Sequence, residues 1–201
     1  MDLLAALPLR TPRLTLRPFT PEDTDAMHAY QRLPEVARYL YRPPRTRAEC
    51  EAVIAVQPAW EKDGDRVLLA VCPTPAAPGA SASGVPAPGV PASGVPTLAG
   101  EVSLNLRDTR ARQAEIGWSL HPGAAGRGYA TEAARALAHL AFTVLGVHRL
   151  YARVDAENTA SFRVCERLGM RREAHLVEND LWEGRWGDEF VYGLLAREFG
   201  G

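Results

Sequence analysis

Residues 126–133 read GRGYATEA and lie between a predicted strand and a predicted helix. The two glycines and Ala130 are small enough to let backbone N–H groups approach a phosphate closely. The N-terminus of the following helix directs a partial charge of about +0.5 toward the same point. Arg127 adds a cation. The segment therefore predicts a phosphate-binding loop, although a Gly-rich turn that merely joins a strand to a helix has the same composition.

Two other phosphate-binding patterns compete with this interpretation. The spacing GxGxxT after a strand imitates the dinucleotide fingerprint of nicotinamide-dependent oxidoreductases, and Asp155 ends the next predicted strand, where a ribose-binding acid would stand. However, Thr131 replaces the third glycine, and the motif follows four predicted strands instead of opening the fold. The sequence contains neither GxxxxGKS nor GxxxxGKT, which excludes a P-loop.

Hydrophobic periodicity on both sides of this loop predicts the element order βααβββαβαββ. Strands are expected over residues 13–18, 66–72, 98–107, 113–120, 148–155, 171–181 and 186–195. Helices are expected over residues 20–32, 46–62, 129–145 and 158–168. Thr20 and Thr46 are predicted N-caps, the second with Glu49 as a capping box, and Gly146 and Gly169 are predicted helix ends.

One stretch, residues 73–97, contains only Pro, Gly, Ala, Ser, Val and Thr. With so little apolar surface to bury, it is expected to be a flexible, partly polyproline-II excursion. Strands are predicted directly before and after it, so we interpret it as a lengthened hairpin turn. Doubling a loop costs only about 0.6 kcal/mol of closure entropy. We therefore expect a single domain over residues 1–201.

The composition argues against several classes of protein. Of the 201 residues, 23 are Lys or Arg and 24 are Asp or Glu, a net charge of −1, so binding to nucleic acid or to an anionic membrane is not expected. The apolar run near the N-terminus is far shorter than the roughly 20 residues of a membrane span. Three cysteines without a CxxC pair and five histidines without ligand spacing predict neither disulfides nor a metal site. A cytoplasmic protein is expected.

Four blocks of sequence together resemble the GCN5-related N-acetyltransferases (GNAT), and within them the RimJ/RimL-like branch that acetylates the N-termini of ribosomal proteins. The blocks are TPRLTLRPFTPEDTDAM (11–27), AEIGWSLHPGAAGRGYATEA (114–133), VDAENTASFRVCERLGM (154–170) and GRWGDEFVYGLLAREF (184–199). They span most of the chain outside 73–97. The resemblance implies an α/β (α+β) fold with a mixed sheet of about seven strands, splayed at an acetyl-CoA site and flanked by about four helices.

The resemblance also implies how the cosubstrate acetyl-CoA would bind. Its pantetheine would lie in the splay and pair with the backbone at Trp118, Ser119 and Leu120. Its pyrophosphate would lie on Gly126, Arg127, Gly128, Tyr129, Ala130 and Thr131. Asn158 would hold the cofactor near the pantetheine, and it is also a good helix N-cap. Ala125 stands where the family usually has Gln or Arg, a missing phosphate contact that Arg127 could supply.

The catalytic residues depart from the common pattern of the family. Many members carry a Tyr seven residues after the Asn to protonate the departing thiolate, but this chain has Cys165 there. The resemblance nominates the hydroxyl of Ser161, in Asn-x-x-Ser, as the donor to the CoA sulfur. Glu115 and Glu101, on neighbouring predicted strands, are candidates for the base that deprotonates the amine, directly or through a water. Exposed strand acids are the alternative interpretation of both.

The expected acceptor is a primary amine that attacks directly, a protein N-terminal α-amine as in ribosomal-protein acetylation. A small-molecule amine (polyamine, amino acid or antibiotic) and a non-catalytic acyl-CoA-binding module are the alternatives. Acceptor contacts would come from the first two helices and the last hairpin, with Tyr30, Arg38, Tyr39, Tyr41, Trp182 and Trp186 as candidates. Both a monomer and a homodimer remain open.

Overall fold

The computed structural model describes residues 3–74 and 96–200. These residues contain eight strands: β1 (Leu9–Arg10), β2 (Leu14–Pro18), β3 (Arg66–Pro73), β4 (Gly100–Asp108), β5 (Gln113–Leu120), β6 (Arg149–Asp155), β7 (Arg171–Trp182) and β8 (Arg185–Leu195). They form one mixed sheet in the order β1-β2-β3-β4-β5-β6-β8-β7. The predicted mixed α/β fold is confirmed, with eight strands where about seven were expected.

Five α-helices cover the two faces of the sheet: α1 (Thr24–Gln31), α2 (Pro34–Ala37), α3 (Arg47–Ala55), α4 (Tyr129–Thr143) and α5 (Thr159–Arg167). Apolar residues of α4 and α5 pack with alternate residues of the central strands in the larger core. On the opposite face, α1 and α3 pack on Leu68 and Ala70 of β3. Because side chains alternate along a strand, the two faces have separate cores.

The splay expected in the centre of the sheet lies between β5 and β6. These parallel strands pair at only three positions, from Gln113↔Arg149 to Glu115↔Tyr151. On their other sides, β5 pairs with β4 as far as Leu120, and β6 pairs with β8 as far as Asp155. The second halves of β5 and β6 therefore diverge, and a gap opens between them.

Several predicted boundaries were wrong, for local reasons. The second helix was predicted to reach residue 62 but ends at Ala55, because Pro58 cannot donate a helical hydrogen bond and disfavours helical backbone before it. The first predicted helix, residues 20–32, agrees with the structure, in which a 3-10 turn (Pro21–Asp23) leads into α1 (Thr24–Gln31). The short α2 was not predicted, and it is separate from α1 because Leu33 precedes Pro34 and is extended, with φ −83° and ψ 128°. The two-residue β1 was missed. The capping box of Thr46 and Glu49 was predicted correctly.

Residues 75–95, most of the stretch predicted to be a flexible loop, lie outside the described residues. The hairpin on either side is defined by its own contacts. Strands β3 and β4 pair from Arg66↔Asn105 to Val71↔Gly100, and the backbone N–H of Thr74 donates to the carbonyl of Arg13 over 2.8 Å. No helix within the described ranges is long and apolar enough to cross a membrane.

We predict that replacing residues 75–95 with a short Gly-Ser linker leaves folding and activity intact. The strand pairing that fixes the hairpin does not involve these residues, and shortening a loop changes its closure entropy only slightly. The melting temperature is expected to stay within about 4 °C of the parent, as calorimetry would measure, with unchanged turnover. A large loss of melting temperature or of turnover would show that residues 75–95 contribute to the fold or to the site.

Candidate active site

A cavity of about 500 Å³ follows the diverging end of β5 and the N-terminal turns of α4 and α5. It brings together the predicted cofactor residues apart from Arg127 and Ser161: Trp118, Ser119, Leu120, Gly126, Gly128, Tyr129, Ala130, Thr131 and Asn158. The strand segment, the loop and the helix start are separate in sequence. The splay of the sheet gathers them along one cleft.

The loop at residues 126–131 is arranged to bind an anion. Gly128 is the N-cap of α4 and has a φ of +77°, a backbone conformation that favours glycine. The first N–H groups of α4 have no intrahelical acceptors, and the helix dipole adds positive potential there. The Oγ1 atom of Thr131 is buried without a hydrogen-bond partner among the described residues. These unsatisfied donors fit the pyrophosphate of acetyl-CoA.

A side-chain network that the sequence analysis missed holds this loop in place. The guanidinium of Arg13 donates to Glu132 Oε2 over 2.7 Å and to the carbonyl oxygen of Arg127 over 2.9 Å. Thr11 Oγ1 donates to Glu132 Oε1 over 2.6 Å, and Arg13 also lies over the ring of Tyr129. Burial disfavours the charged form of Glu132, but the hydrogen bonds from Thr11 and Arg13 outweigh it and lower its pKa.

A smaller cavity of about 190 Å³ contains all three predicted catalytic residues, Ser161, Glu115 and Glu101. It lies on the face of the sheet that carries alternate polar residues of β4 and β5. Trp118, Ser119 and Asn158 line both this cavity and the larger one. The two cavities thus meet at the gap between β5 and β6.

Ser161 is held at this junction by two hydrogen bonds. Its backbone N–H donates to Asn158 Oδ1 over 3.1 Å, the N-cap interaction predicted for α5. Its Oγ accepts from Trp118 Nε1 over 3.2 Å. Because the indole N–H is the donor in this contact, the hydroxyl proton of Ser161 is available to donate to another group. The arrangement suits a proton donor.

Cys165, at the position where the resemblance to the family implied a Tyr, is buried in the larger core. Burial raises the pKa of its thiol to about 12. The thiol is therefore protonated at neutral pH and is a weak nucleophile.

The two candidate carboxylates have different surroundings. Glu101 is 7% exposed, and the hydroxyl of the fully buried Tyr30 donates to its Oε2 over 2.9 Å. Glu115 accepts from Arg107 Nε over 3.0 Å at a more open position. Burial first, and then the charge of Glu101, raise the pKa of Tyr30, which keeps its proton. Glu101 is the carboxylate enclosed by the cavity, and Glu115 resembles an ordinary strand acid in an ion pair.

A third and larger cavity of about 810 Å³, here called the outer groove, lies between α2 with the turn that follows it and the β7–β8 hairpin. Of the predicted acceptor residues, it is lined by Arg38, Tyr41, Trp182 and Trp186. Tyr39 lines the two inner cavities, whereas Tyr30 lies in the core beneath Glu101. Asp155, which accepts a hydrogen bond from Tyr41, lines both the outer groove and the 190 Å³ cavity.

Comparison with known proteins identifies the class of this enzyme. Residues 13–171 match the family model described as Acetyltransferase (GNAT) domain, and the chain therefore belongs to the GNAT acetyltransferase family. It is an N-acetyltransferase that uses acetyl-CoA, as predicted. The cleft described above offers acetyl-CoA binding groups from the end of β5, the loop at residues 126–131 and the first turn of α4. Acetyl-CoA supplies the acetyl group as a thioester.

Two of the similar proteins match most of the chain, and a third matches a shorter part of it. A Bacillus licheniformis protein named uncharacterized N-acetyltransferase p20 is 29% identical over 196 residues, 96% of this chain and 98% of the relative. A Bacillus anthracis acetyltransferase of the GNAT family superposes with a TM-score of 0.75 at 26% identity, covering 94% of this chain and 99% of that one. A Vibrio cholerae spermidine N(1)-acetyltransferase is 32% identical over 77 residues, 38% of this chain and 44% of the relative.

We predict that Arg13→Met weakens acetyl-CoA binding. The change removes several hydrogen bonds that fix the loop at residues 126–131, each worth up to about 1 kcal/mol at this half-exposed position, so the Kd should rise several-fold to about tenfold. Isothermal titration with acetyl-CoA measures the change. Arg10→Met is the matched control, because Arg10 is exposed on the adjacent strand. If the Arg13→Met variant and the parent bind acetyl-CoA with equal affinity, the network of Arg13 and Glu132 does not contribute to cofactor binding.

Proposed function

We propose that the enzyme acetylates a protein N-terminal α-amine, which attacks the thioester directly. The continuity of the cavities supports this proposal. The 190 Å³ cavity contains the catalytic candidates, and it adjoins the outer groove at Asp155. An amine can enter the inner cavity while the chain attached to it continues along the groove.

The chemistry of an α-amine is compatible with this site. An α-amine has a pKa of about 8, whereas a lysine side chain has a pKa of about 10.4. Only the neutral amine is nucleophilic, so an α-amine needs modest help from a base. In our proposal Glu101 takes up the amine proton, directly or through a water, while Tyr30 fixes the orientation of its carboxylate. Backbone N–H groups at the gap polarise the carbonyl group under attack.

Ser161 supplies the second proton transfer in this scheme. Its hydroxyl donates a proton to the sulfur as the carbon–sulfur bond breaks, and CoA leaves as the thiol. The proton that Glu101 took from the amine then returns through water to the serine oxygen, which restores both residues. Trp118 and Asn158 hold the residue for this step, since one contacts the hydroxyl oxygen and the other the backbone N–H. The phosphate-binding loop contributes to binding and orientation.

We predict that Ser161→Ala lowers kcat by about 10²-fold, as expected for loss of a general acid. Affinity for acetyl-CoA should change by no more than about twofold, because the backbone N–H that Asn158 caps is retained. Thiol release gives kcat, and titration gives the Kd. Thr159→Ala, an exposed position on the same helix, is the control. An unchanged kcat in the Ser161→Ala variant would reject the serine as donor.

A matched pair of variants distinguishes the catalytic roles of Glu101 and Glu115. Glu101→Gln should lower kcat/KM by about 10²-fold, because the amide cannot accept the proton but can still accept the Tyr30 hydrogen bond. Glu115→Gln should cost less than about threefold, since its carboxylate is engaged by Arg107. Steady-state kinetics with a single peptide measures both. The reverse order of effects would assign the base to Glu115.

A small polyamine is the second candidate acceptor. Acidic residues line the outer groove, namely Glu35, Asp155, Glu157, Glu183 and Asp188, and Trp182 and Trp186 provide aromatic faces. Carboxylates and aromatic rings together suit an extended cation. The partial similarity to a protein named spermidine N(1)-acetyltransferase favours the same candidate.

Thiol release against a panel of acceptors tests the proposed function. The panel contains peptides with free and blocked N-termini, free amino acids, spermidine and spermine, each added to the parent enzyme with acetyl-CoA. Faster turnover of peptides with free N-termini is the expected result, with the acetyl group located on Nα by mass spectrometry. Turnover of spermidine or spermine alone would replace the proposed acceptor with the polyamine.

A further inference from the structure

A row of polar residues forms one wall of the 190 Å³ cavity. Strand register brings Arg66 of β3 beside Asn105 of β4 and Glu115 of β5, and the next position along β4 on the same face is Ser103. All four residues line the cavity. Glu101 lies four residues from Asn105, about 13 Å along the strand. The wall therefore carries a carboxylate toward one end and a guanidinium toward the other.

Arg66 is a partly buried cation without an ion-pair partner among the described residues. Its Nε is buried without a hydrogen-bond partner, and its guanidinium forms no ion pair within residues 3–74 and 96–200. Burial lowers its pKa, an effect that the charge of Glu101 only partly offsets. Arg66 is partly buried, and removing part of a cation from water without an ion-pair partner costs free energy. An anionic ligand would remove that cost.

The other charged groups of the same cavity are already engaged. Arg153 donates to Glu189 over 2.9 Å, Glu115 is paired with Arg107, and Asp155 accepts from Tyr41. Glu101 accepts from Tyr30 at the far end of the wall. At the near end of the wall, Glu115 is paired with Arg107, and the charge without an ion-pair partner among the described residues is that of Arg66. Tyr30 and Tyr41 are uncharged donors, so Glu101 and Asp155 remain acidic groups elsewhere in the cavity.

We propose that Arg66 binds a carboxylate of the acceptor, with Asn105 and Ser103 as hydrogen-bonding neighbours, so that the enzyme prefers protein N-termini whose first residue is Asp or Glu. This inference rests on the proposed function, because it defines the substrate class of the same site. The amine lies toward Glu101 and Ser161, and the acidic side chain lies toward Arg66. A polyamine has no carboxylate to occupy this subsite. Free aspartate or glutamate does have such a carboxylate, so the test also includes these free amino acids.

Matched peptides that differ only in their first residue test the subsite. Peptides beginning with Glu or Gln, and with Asp or Asn, are compared by kcat/KM for the parent enzyme. A charge-assisted contact of about 1.5 kcal/mol corresponds to a preference for the acidic member of about tenfold. Arg66→Met keeps much of the apolar stem and removes the charge, so the preference should disappear while the Gln and Asn peptides change by less than about threefold.

Two further variants complete the test. Arg110→Met removes one positive charge from an exposed turn and should retain the parent preference. Arg66→Lys keeps a cation and should retain a reduced preference, which allows a test even where Arg66→Met does not fold. The preference is a ratio measured within one variant, so it does not depend on the fraction of folded protein.

Each outcome bears on one proposal or on both. Equal rates for acidic and amide first residues in the parent, or a preference that survives Arg66→Met, would overturn the carboxylate subsite while leaving peptide acetylation standing. Turnover of free glutamate or aspartate that depends on Arg66, with none of peptides, would support the subsite and reject the proposed peptide acceptor. Turnover of spermidine alone would overturn both proposals.

Discussion

The short parallel contact between β5 and β6 is the constraint on which the rest of the site depends. Pairing stops at Glu115↔Tyr151, although each strand continues on its other side with an antiparallel neighbour. Neither strand can bend back without breaking those outer ladders, so the gap is fixed by the sheet itself. Buried backbone groups at such a gap need partners. Acetyl-CoA in the cleft would supply them, and the two inner cavities meet at the same opening.

The loop at residues 126–131 depends on a second long-range constraint. Gly128 allows the backbone to turn into α4, but glycine alone leaves a loop free to adopt many conformations. Arg13 restricts it by holding Glu132 and the Arg127 carbonyl at once. A Cβ at residue 128 would lie 3.4 Å from the Arg13 guanidinium, an ordinary van der Waals distance, so the positive φ rather than lack of space calls for glycine here. The N-terminal segment thus contributes to the site without lining it.

The predictions that succeeded relied on local signals. The loop at 126–131, the caps at Thr46 and Asn158, and the alternation of β4 and β5 are patterns within a few residues. The mixed sheet and the residues gathered in the cleft were instead expected from the resemblance of four sequence blocks to the GNAT family. Contacts between distant residues gave no such signal. Arg13 and Glu132 are 119 residues apart, and Tyr30 and Glu101 are 71 apart. The end of α3 was predictable from Pro58, and the unpaired state of Arg66 required the packed structure.

At the start of α5, helix capping and the proposed chemistry are the same set of contacts. Asn158 Oδ1 is occupied by the Ser161 N–H, which leaves its amide N–H groups without a partner among the residues described. The Ser161 oxygen is occupied by Trp118, which leaves the hydroxyl proton to donate. The two roles of Asn158 are therefore compatible, because helix capping uses its Oδ1 atom and cofactor binding would use its amide N–H groups. Stabilising the first turn of α5 fixes the serine at the gap, and the proposed mechanism uses the remaining donors of both residues.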